Sequence, residues 1–259
     1  MLSAAVSHNL RCLLAGLLFL PLVALAGSLR VGPTRLDLSA ARPVAVLEVQ
    51  NTGDEATLAQ LDAFLWTQAG AGDLLEPTTD LVTTPLVLNL APGETRYVRV
   101  GLRERPRAAV ERSYRLFVRE VVPTFVAASG LRFALRVGVP VFALPSSAET
   151  RPGMVMGIGS QELSWRWIAD LGNCMNVQLS NPAPRHDRVL SAEILSASGE
   201  VLWRANEATY VLAESRRLLR PALCAPSVKE AVALRLTTDS GTVNLPVEAP
   251  SLVVDANSH

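Results

Sequence analysis

Residues 131–142 read LRFALRVGVPVF, and the alternation within this stretch decides the fold class. Leu131, Phe133, Leu135 and Val137 share one parity, while arginine, alanine and glycine fill most of the other. A period of two is typical of a β-strand with one buried face. The apolar side chains of such a strand can pack against their own domain or against another protein, and the pattern leaves both readings open.

The same pattern recurs along most of the chain. Short β-branched runs such as VAVLEVQ (44–50) and TRYVRVGL (95–102) are separated by turns rich in Gly, Pro and Asn. Strands at this spacing predict antiparallel sandwiches. The stretch ALPSSAETRPGM, from residue 143 to 154, predicts a linker. We therefore expect an all-β protein of two consecutive sandwich domains, at residues 27–145 and 146–255.

The first 26 residues have the pattern of an export signal. Arg11 is followed by an apolar run from Cys12 to Val23 and by the small-residue sequence ALA at 24–26. The run is shorter than the roughly 20 residues that a membrane-spanning helix needs. We expect residues 1–26 to be a signal peptide that is removed, with a membrane anchor as the alternative, and a mature protein that is not embedded in a membrane.

Charge and cysteine content narrow the class further. The 24 Lys and Arg residues balance the 24 Asp and Glu residues, which argues against a nucleic-acid-binding protein. Cys174 and Cys224 would remain after export. In an oxidising compartment they predict one disulfide, which stabilises by roughly 4 kcal/mol in the chain-entropy model for a loop of about 50 residues. Two separate buried thiols are the alternative, and a metal site is not expected.

No pattern of catalytic residues stands out. His186 lies in the proline-bounded turn PAPRHDR, and His259 is the last residue. Neither stands near a serine or cysteine in a way that would activate a nucleophile. The acidic pair Asp54–Glu55 lies in a turn, where such residues are common for conformational reasons. We therefore expect no enzymatic activity and no cofactor.

Five arginines alternate with strand residues: Arg35, Arg99, Arg119, Arg132 and Arg136. Each alone is explained by the solvated face of a strand. As a set they have a second explanation, because the forked donors of arginine suit bidentate binding of a carboxylate. The C-terminal carboxylate of a peptide is one ligand of that kind.

Four motifs occur in a family-specific order. They are LVTTPLVLNLAPGETRYVRV (81–100), YRLFVREVVP (114–123), GLRFALRVGVPVFALP (130–145) and LSNPAP (179–184). With them the chain resembles the PapD-like periplasmic chaperones of the chaperone–usher pathway. The sequence around RVGVPVF is more similar to that of the divergent, archaic branch of the family.

The resemblance implies a fold and a function. The fold would be two immunoglobulin-like sandwiches in a boomerang arrangement. The function would be to bind pilus or fibre subunits in the periplasm by donor-strand complementation and to deliver them to an outer-membrane usher. By position, Leu131, Phe133, Leu135 and Val137 would fill the groove of the incomplete subunit.

The resemblance also implies a carboxylate anchor and a charged domain boundary. Arg35 matches the arginine that holds the subunit's terminal carboxylate, but the family's second anchor, a lysine, falls on Pro140. Arg136 and Arg119 are the alternatives for it.

At the boundary, Glu120 and Asp239 match two members of an interdomain charge network. The arginine of that network falls on Leu144, which cannot take its role. The rival interpretation of the whole chain is a structural fibre subunit or adhesin. Two complete sandwiches argue against that rival.

Overall fold

The protein is described by a computed structural model that covers residues 29–69, 72–104, 109–121, 134–145, 163–170, 174–224 and 230–246. These residues form β-strands and connecting turns, as the alternating pattern predicts. The first group of strands is β1 Leu29–Gly32, β2 Leu36–Leu38, β3 Val44–Asn51, β4 Thr57–Ala69, β5 Gly72–Pro77, β6 Leu81–Thr84, β7 Val87–Leu90, β8 Thr95–Leu102, β9 Arg112–Val121 and β10 Arg136–Ala143. The second group is β11 Ser164–Asp170, β12 Cys174–Asn181, β13 Asp187–Ser196, β14 Val201–Ala205, β15 Thr209–Val211, β16 Ser215–Cys224, β17 Ala231–Thr238 and β18 Gly241–Pro246.

The first group builds one sandwich from two sheets. One sheet has the order β1-β3-β8-β6, and the other has the order β2-β10-β9-β4-β5 with β7 paired to β4. The core between them is supplied by alternate residues of each strand, such as Val98 and Val100 on β8 facing Leu116 and Val118 on β9. The period-two pattern of the sequence is thus the pattern of burial.

The second group builds the other sandwich in the same way. Its sheets have the orders β11-β12-β16 and β14-β13-β17-β18, with β15 paired to β13. Val177, Leu179, Ile194 and Leu236 are fully buried between them. The all-β prediction with two sandwiches is therefore confirmed. The domain limits 27–145 and 146–255 stay predictions, and the expected signal peptide at 1–26 lies outside the described residues.

Each sandwich contains a buried asparagine with the same role. The Asn51 side-chain amide donates to the carbonyls of Glu55, Leu90 and Ala91, and its Oδ1 accepts from the Gly53 amide. In the second sandwich the Asn181 amide donates to the carbonyls of three residues, and its Oδ1 accepts from a backbone amide two residues on. Those partners are Arg185, Val211, Leu212 and Ala183. Each side chain thus satisfies four buried or part-buried backbone groups at a turn.

Two features are absent from the described residues. Within them, no helix has the length and apolar content needed to cross a membrane. The same residues contain no cluster of His, Cys, Asp and Glu side chains able to hold a metal ion.

Candidate functional site

Within the described part of the fold, one edge of β10 is unpaired over more than half its length. β10 pairs with β9 in antiparallel fashion along its entire length, from Arg136 opposite Arg119 to Ala143 opposite Arg112. On its other side, β2 pairs in parallel with only Val141–Ala143. Among the described strands, none covers the other side of β10 from Arg136 to Pro140. The backbone groups along this edge are able to pair with an added strand.

The apolar face of β10 becomes less covered toward the same open half. Val141 and Val139 are buried, at 0% and 2% exposure. Val137 and Leu135 are only half-buried, and both pack against the core of the first sandwich. The sequence led us to expect that these two side chains are offered to a partner. In the chain as it stands they contact their own domain.

Two members of the predicted donor series remain untested. Leu131 and Phe133 lie outside the described residues. They share the parity of Leu135 and Val137 in the sequence.

The outward face of the same sheet is cationic and aromatic. The Arg136 guanidinium lies 3.6 Å from the centre of the Phe117 ring. Gly138 lies beside it, and a Cβ at that position would be 2.9 Å from Phe117 Cε1. The side chain of Arg119 is held by Asp62, with 3.3 Å between Nε and Oδ2. Arg119 and Arg136 are thus direct register partners on a face that carries both charges.

Arg35 lies at the end of the open edge. It precedes Leu36, the register partner of Val141, so it stands beside Pro140. Its Nη2 is 3.2 Å from Asp37 Oδ2, and its Nη1 is 3.9 Å from Asp239 Oδ2 in the second sandwich. Asp239 also lies 3.7 Å from Nη1 of Arg188. The structure therefore places Arg35 where the two sandwiches meet.

Arg115 lies on the other side of Pro140 from Arg35. It is the register partner of Pro140 on β9, about 10 Å from the Arg35 position across two strand spacings. Its guanidinium stacks on Trp66, 3.9 Å from the ring centre. Burial lowers its pKa. Among the described residues, no carboxylate comes within ion-pair distance of Arg115.

The contact between the sandwiches consists of aromatic rings and hydrogen bonds. Trp66, Phe142 and Leu212 form a buried cluster, with Tyr210 packed against it. Phe142 lies on β10, two residues after Pro140, the last residue of the open edge. The strand with the open edge and the domain boundary are thus parts of the same element.

Polar links surround this cluster. Gln68 Nε2 donates to the Tyr210 carbonyl at 2.9 Å, and Gln68 Oε1 accepts from the Leu212 amide at 3.0 Å. Arg217 forms an ion pair with Asp73.

A buried acid and base also join the two sandwiches. The carboxylate of Glu111 lies 2.6 Å from His186 Nδ1, and the Glu111 side chain is fully buried. The His186 ring stacks on Phe142, with 3.6 Å between ring centres. The proline-bounded turn that contains His186 thus belongs to the domain boundary.

The predicted boundary residues behave differently from each other. Asp239 lies at the boundary, opposite Arg35. Glu120 lies at the far end of β9, where its carboxylate accepts from Thr57 Oγ1 and from the Leu135 amide, both in the first sandwich. It is seven residues, or roughly 23 Å, along β9 from Ser113, the register partner of Phe142 in the cluster between the sandwiches. These two contacts of Glu120 lie within the first sandwich, and its interdomain role stays a prediction. Leu144 donates its backbone amide to the Leu38 carbonyl.

The two candidate disulfide residues are opposite each other. Cys174 on β12 is the register partner of Cys224 on β16. Cα atoms of directly opposed residues in antiparallel strands are about 4.5–5.5 Å apart, within the range that a disulfide spans. The backbone is therefore compatible with the bond.

Glu111, His186 and Arg115 were missed by sequence reasoning. Glu111 and His186 are 75 residues apart, and neither occurs in a pattern that signals pairing. The available signal was the proximity of His186 to the LSNPAP motif. Arg115 was hidden because parity places it on the solvent side of its strand, where an arginine needs no explanation.

Comparisons with known proteins agree with this architecture. Residues 28–149 match the family model of the pili and flagellar-assembly chaperones, PapD N-terminal domain. No curated protein matches the chain in sequence.

Solved structures of pilus chaperone systems share the fold. One is the chaperone–tip adhesion subunit pre-assembly complex from the archaic chaperone–usher Csu pili of Acinetobacter baumannii, with a TM-score of 0.65, 19% identity and coverage of 85% of this chain and 98% of that one. The Salmonella enterica SafA pilin–SafB chaperone complex has a TM-score of 0.60 and 17% identity, and the match covers 87% of this chain and 99% of that one. The Pseudomonas aeruginosa CupB2 chaperone has a TM-score of 0.56 and 21% identity, and the match covers 85% of this chain and 100% of that one.

Proposed function

We propose that this chain, a PapD-like chaperone by its family match and its fold, binds a pilus or fibre subunit by adding a strand of the subunit along β10. The observation that carries the proposal is the open edge from Arg136 to Pro140. An exposed strand edge is a template for pairing with another chain. A subunit that lacks a strand has a matching open edge, so pairing satisfies the backbone groups of both proteins.

Apolar side chains of the same strand fill the subunit's groove. Leu131 and Phe133 are the principal donors, followed by Leu135 and Val137. The falling coverage of this face toward the start of β10 supports the assignment. Burying one such side chain contributes about 1.5–3 kcal/mol. The half-buried Leu135 and Val137 contribute less, because part of their surface is already covered by their own core.

The subunit's terminal carboxylate is held by arginine. Arg35 is the first candidate, because it stands at the end of the open edge and reaches into the cleft between the sandwiches. The register pair Arg119 and Arg136 is the alternative, since both charges lie on the outward face beside the open edge. A carboxylate between two guanidinium groups accepts charge-assisted hydrogen bonds from both.

The pathway around this step follows from the same proposal. The chain is exported by a cleaved signal peptide, acts in the periplasm and passes its subunit to an outer-membrane usher. It needs no catalysis and no cofactor, because strand exchange releases the energy of completing the subunit's fold. A Cys174–Cys224 disulfide, formed in that oxidising compartment, joins β12 to β16.

The test is capture of the subunit from the periplasm of the native host. The tagged chain is purified with its partners, which are identified by mass spectrometry. We expect a stoichiometric small secreted protein with the wild type and none with Phe133→Asp, because a charge would enter an apolar groove.

Ala134→Asp is the matched control, since Ala134 is exposed and has the opposite parity. It should retain the partner. Equal loss in both variants, or long polymers of the chain itself, would count against the chaperone function and favour a structural subunit.

A further inference from the structure

One carboxylate of the first sandwich is enclosed by the second. The Glu111 side chain is 0% exposed, and the His186 side chain is 8% exposed. Glu111 Oε1 lies 2.6 Å from His186 Nδ1 and also accepts from the His186 backbone amide at 3.2 Å. A single oxygen atom therefore binds both the ring and the backbone of one residue in the opposite domain.

The backbone of Glu111 adds a third contact. Its amide donates to the Pro184 carbonyl at 2.9 Å. The segment from Pro184 to His186 is thus held by Glu111 at three points, through two residues and from both backbone and side chain. Three bonds to one short segment fix its orientation as well as its distance.

The imidazole is also held from its faces. Phe142 is stacked on it at 3.6 Å with 14° between the ring planes, and Tyr210 packs against it at 5.4 Å. Phe142 belongs to β10, the strand proposed to receive the client, and is fully buried. Any rotation of the second sandwich about this boundary must break the stack or move the end of β10.

The second oxygen of Glu111 depends on the same arrangement. Within the described part of the chain, Oε2 has no hydrogen-bond partner, and Nε of Arg185 lies 4.0 Å away. A buried carboxylate with one unsatisfied oxygen is stable only while its other contacts hold. The remaining polar links across the boundary involve more exposed groups, such as Arg35 with Asp239 at 3.9 Å.

We infer that Glu111 and His186 are positioning residues that set the angle between the two sandwiches. They do so at the boundary where the resemblance led us to expect a charge network through Glu120 and Asp239. By fixing the second sandwich against Phe142, they hold Asp239 opposite Arg35 and keep the cleft beside the open edge in one shape. The link to client binding rests on the proposed function, whereas the angle itself is independent of it.

The experiment measures the angle in the client-free chain. Spin labels are placed through a ketone-bearing amino acid at Val46 and Val232, which are exposed on the first and second sandwich. Pulsed electron–electron double resonance then gives the distribution of distances between the labels. We expect a narrow distribution for the wild type and a broad one for Glu111→Leu. Glu111→Gln should restore the narrow distribution, because its amide oxygen still accepts from His186.

Glu193→Leu is the matched control. Glu193 also binds two groups, Arg204 at 2.6 Å and Arg235 at 3.0 Å, but all three lie in the second sandwich. This variant should leave the distribution narrow. Hydrogen exchange of the strands in each sandwich should be unchanged in Glu111→Leu, since the proposal concerns the boundary and not the domain cores.

Client affinity gives the functional readout. With the subunit that co-purifies with the wild type, Glu111→Leu should raise the dissociation constant roughly tenfold, because an unfixed cleft must be ordered on binding. A narrow distribution in Glu111→Leu would overturn the inference. If that variant does not fold, His186→Phe keeps the ring but loses the donor and is judged by the same criterion. A broad distribution in a chain whose wild type captures no subunit would refute the proposed function and leave the inference intact.

Discussion

Arg119 and Arg136 face each other across β9 and β10 as register partners, with both side chains on the outward face of the sheet. Like charges directly opposite each other destabilise a sheet. Each charge has a separate partner: Asp62 holds Arg119, and the Phe117 ring lies under Arg136. An anion placed between them would turn the repulsion into binding, which is why this pair competes with Arg35 as the carboxylate anchor.

Substituting each candidate anchor in turn should show which of them binds the subunit's carboxylate. We expect Arg35→Ala to weaken capture of the co-purified subunit by 10-fold or more, since a hydrogen bond to a charged group is worth about 1.5–3 kcal/mol. The double variant Arg119→Ala/Arg136→Ala is measured beside it by biolayer interferometry. Arg99→Ala, on the other sheet, is the control. A larger loss in the double variant than in Arg35→Ala would move the anchor to β9 and β10.

Gly138 should not tolerate a side chain. A Cβ there would stand 2.9 Å from Cε1 of Phe117, whose ring is held in place by Arg136. Gly138→Ala should therefore lower the free energy of unfolding by about 1–3 kcal/mol, as overpacking does elsewhere. Urea denaturation measures it. Gly32→Ala is the control, because a Cβ at Gly32 meets no atom within 4 Å. Equal stability of the two variants would show that the Phe117 ring moves freely.

The buried asparagines should each stabilise their own sandwich. Asn51→Ala and Asn181→Ala leave several buried carbonyls without a donor, and we expect a loss of about 1–3 kcal/mol for each. Hydrogen exchange should show the loss in the first sandwich for Asn51→Ala and in the second for Asn181→Ala. Asn89→Ala, an exposed position on β7, should change neither. Loss in both sandwiches from a single change would mean that the domains unfold as one unit.

Asp187 predicts a pH dependence. Burial raises the pKa of this carboxyl, whose Oδ2 has no hydrogen-bond partner among the described residues. A raised pKa means that the folded state binds the proton more tightly than the unfolded chain. This contribution to stability is therefore present below the ordinary pKa of an aspartate and is lost as the pH rises through the folded value.

Asp187→Asn should remove the loss of folding stability that accompanies ionisation of Asp187 at high pH. Compared with the wild type, the variant should gain stability at pH 7 and lose the gain near pH 4, in denaturant titrations at both values. Asp37→Asn is the control on the first sandwich, where the carboxylate lies beside Arg35. A gain at pH 7 that persists at pH 4 would assign the effect to packing.

Cys174 and Cys224 should be bonded in the protein isolated from an oxidising compartment. Their register predicts no free thiol in denaturant before reduction and two afterwards, by titration with a chromogenic disulfide reagent. Cys174→Ser should destabilise the second sandwich by about 2–4 kcal/mol. Two free thiols before reduction would establish the alternative of separate cysteines.

The strands were predictable because each carries its own evidence. β8 and β9 largely alternate between apolar and polar residues, and this alternation is typical of a strand with one buried face. Leu135 and Val137 show the limit of that argument. Parity states which way a side chain faces, but not whether its own core extends far enough to cover it. That depends on how far the facing sheet extends, which a local pattern does not report.

The domain boundary was less predictable, for a different reason. Glu111 and His186 meet only because β9 begins where the turn after Asn181 ends, and no spacing in the sequence records this. Glu120 was assigned to the boundary by its motif alone, and that assignment stays a prediction, because the motif gives no information on which end of β9 faces the second sandwich. Long-range polar pairs are set by the assembled fold, and a single sequence carries little trace of them.

The parallel pairing of β2 with β10 spans only three residues. The extent of β2 therefore determines how many residues of β10 have an open edge. A strand added beside β10 can advance as far as Pro140, where β2 already occupies the next position. Arg35 stands at that stop, and Pro140 has no amide hydrogen to extend the ladder. If a subunit strand adds beside β10 as proposed, the chain limits how many of its residues can insert, whatever their side chains are. Lengthening or removing β2 would then change the registration of any bound subunit.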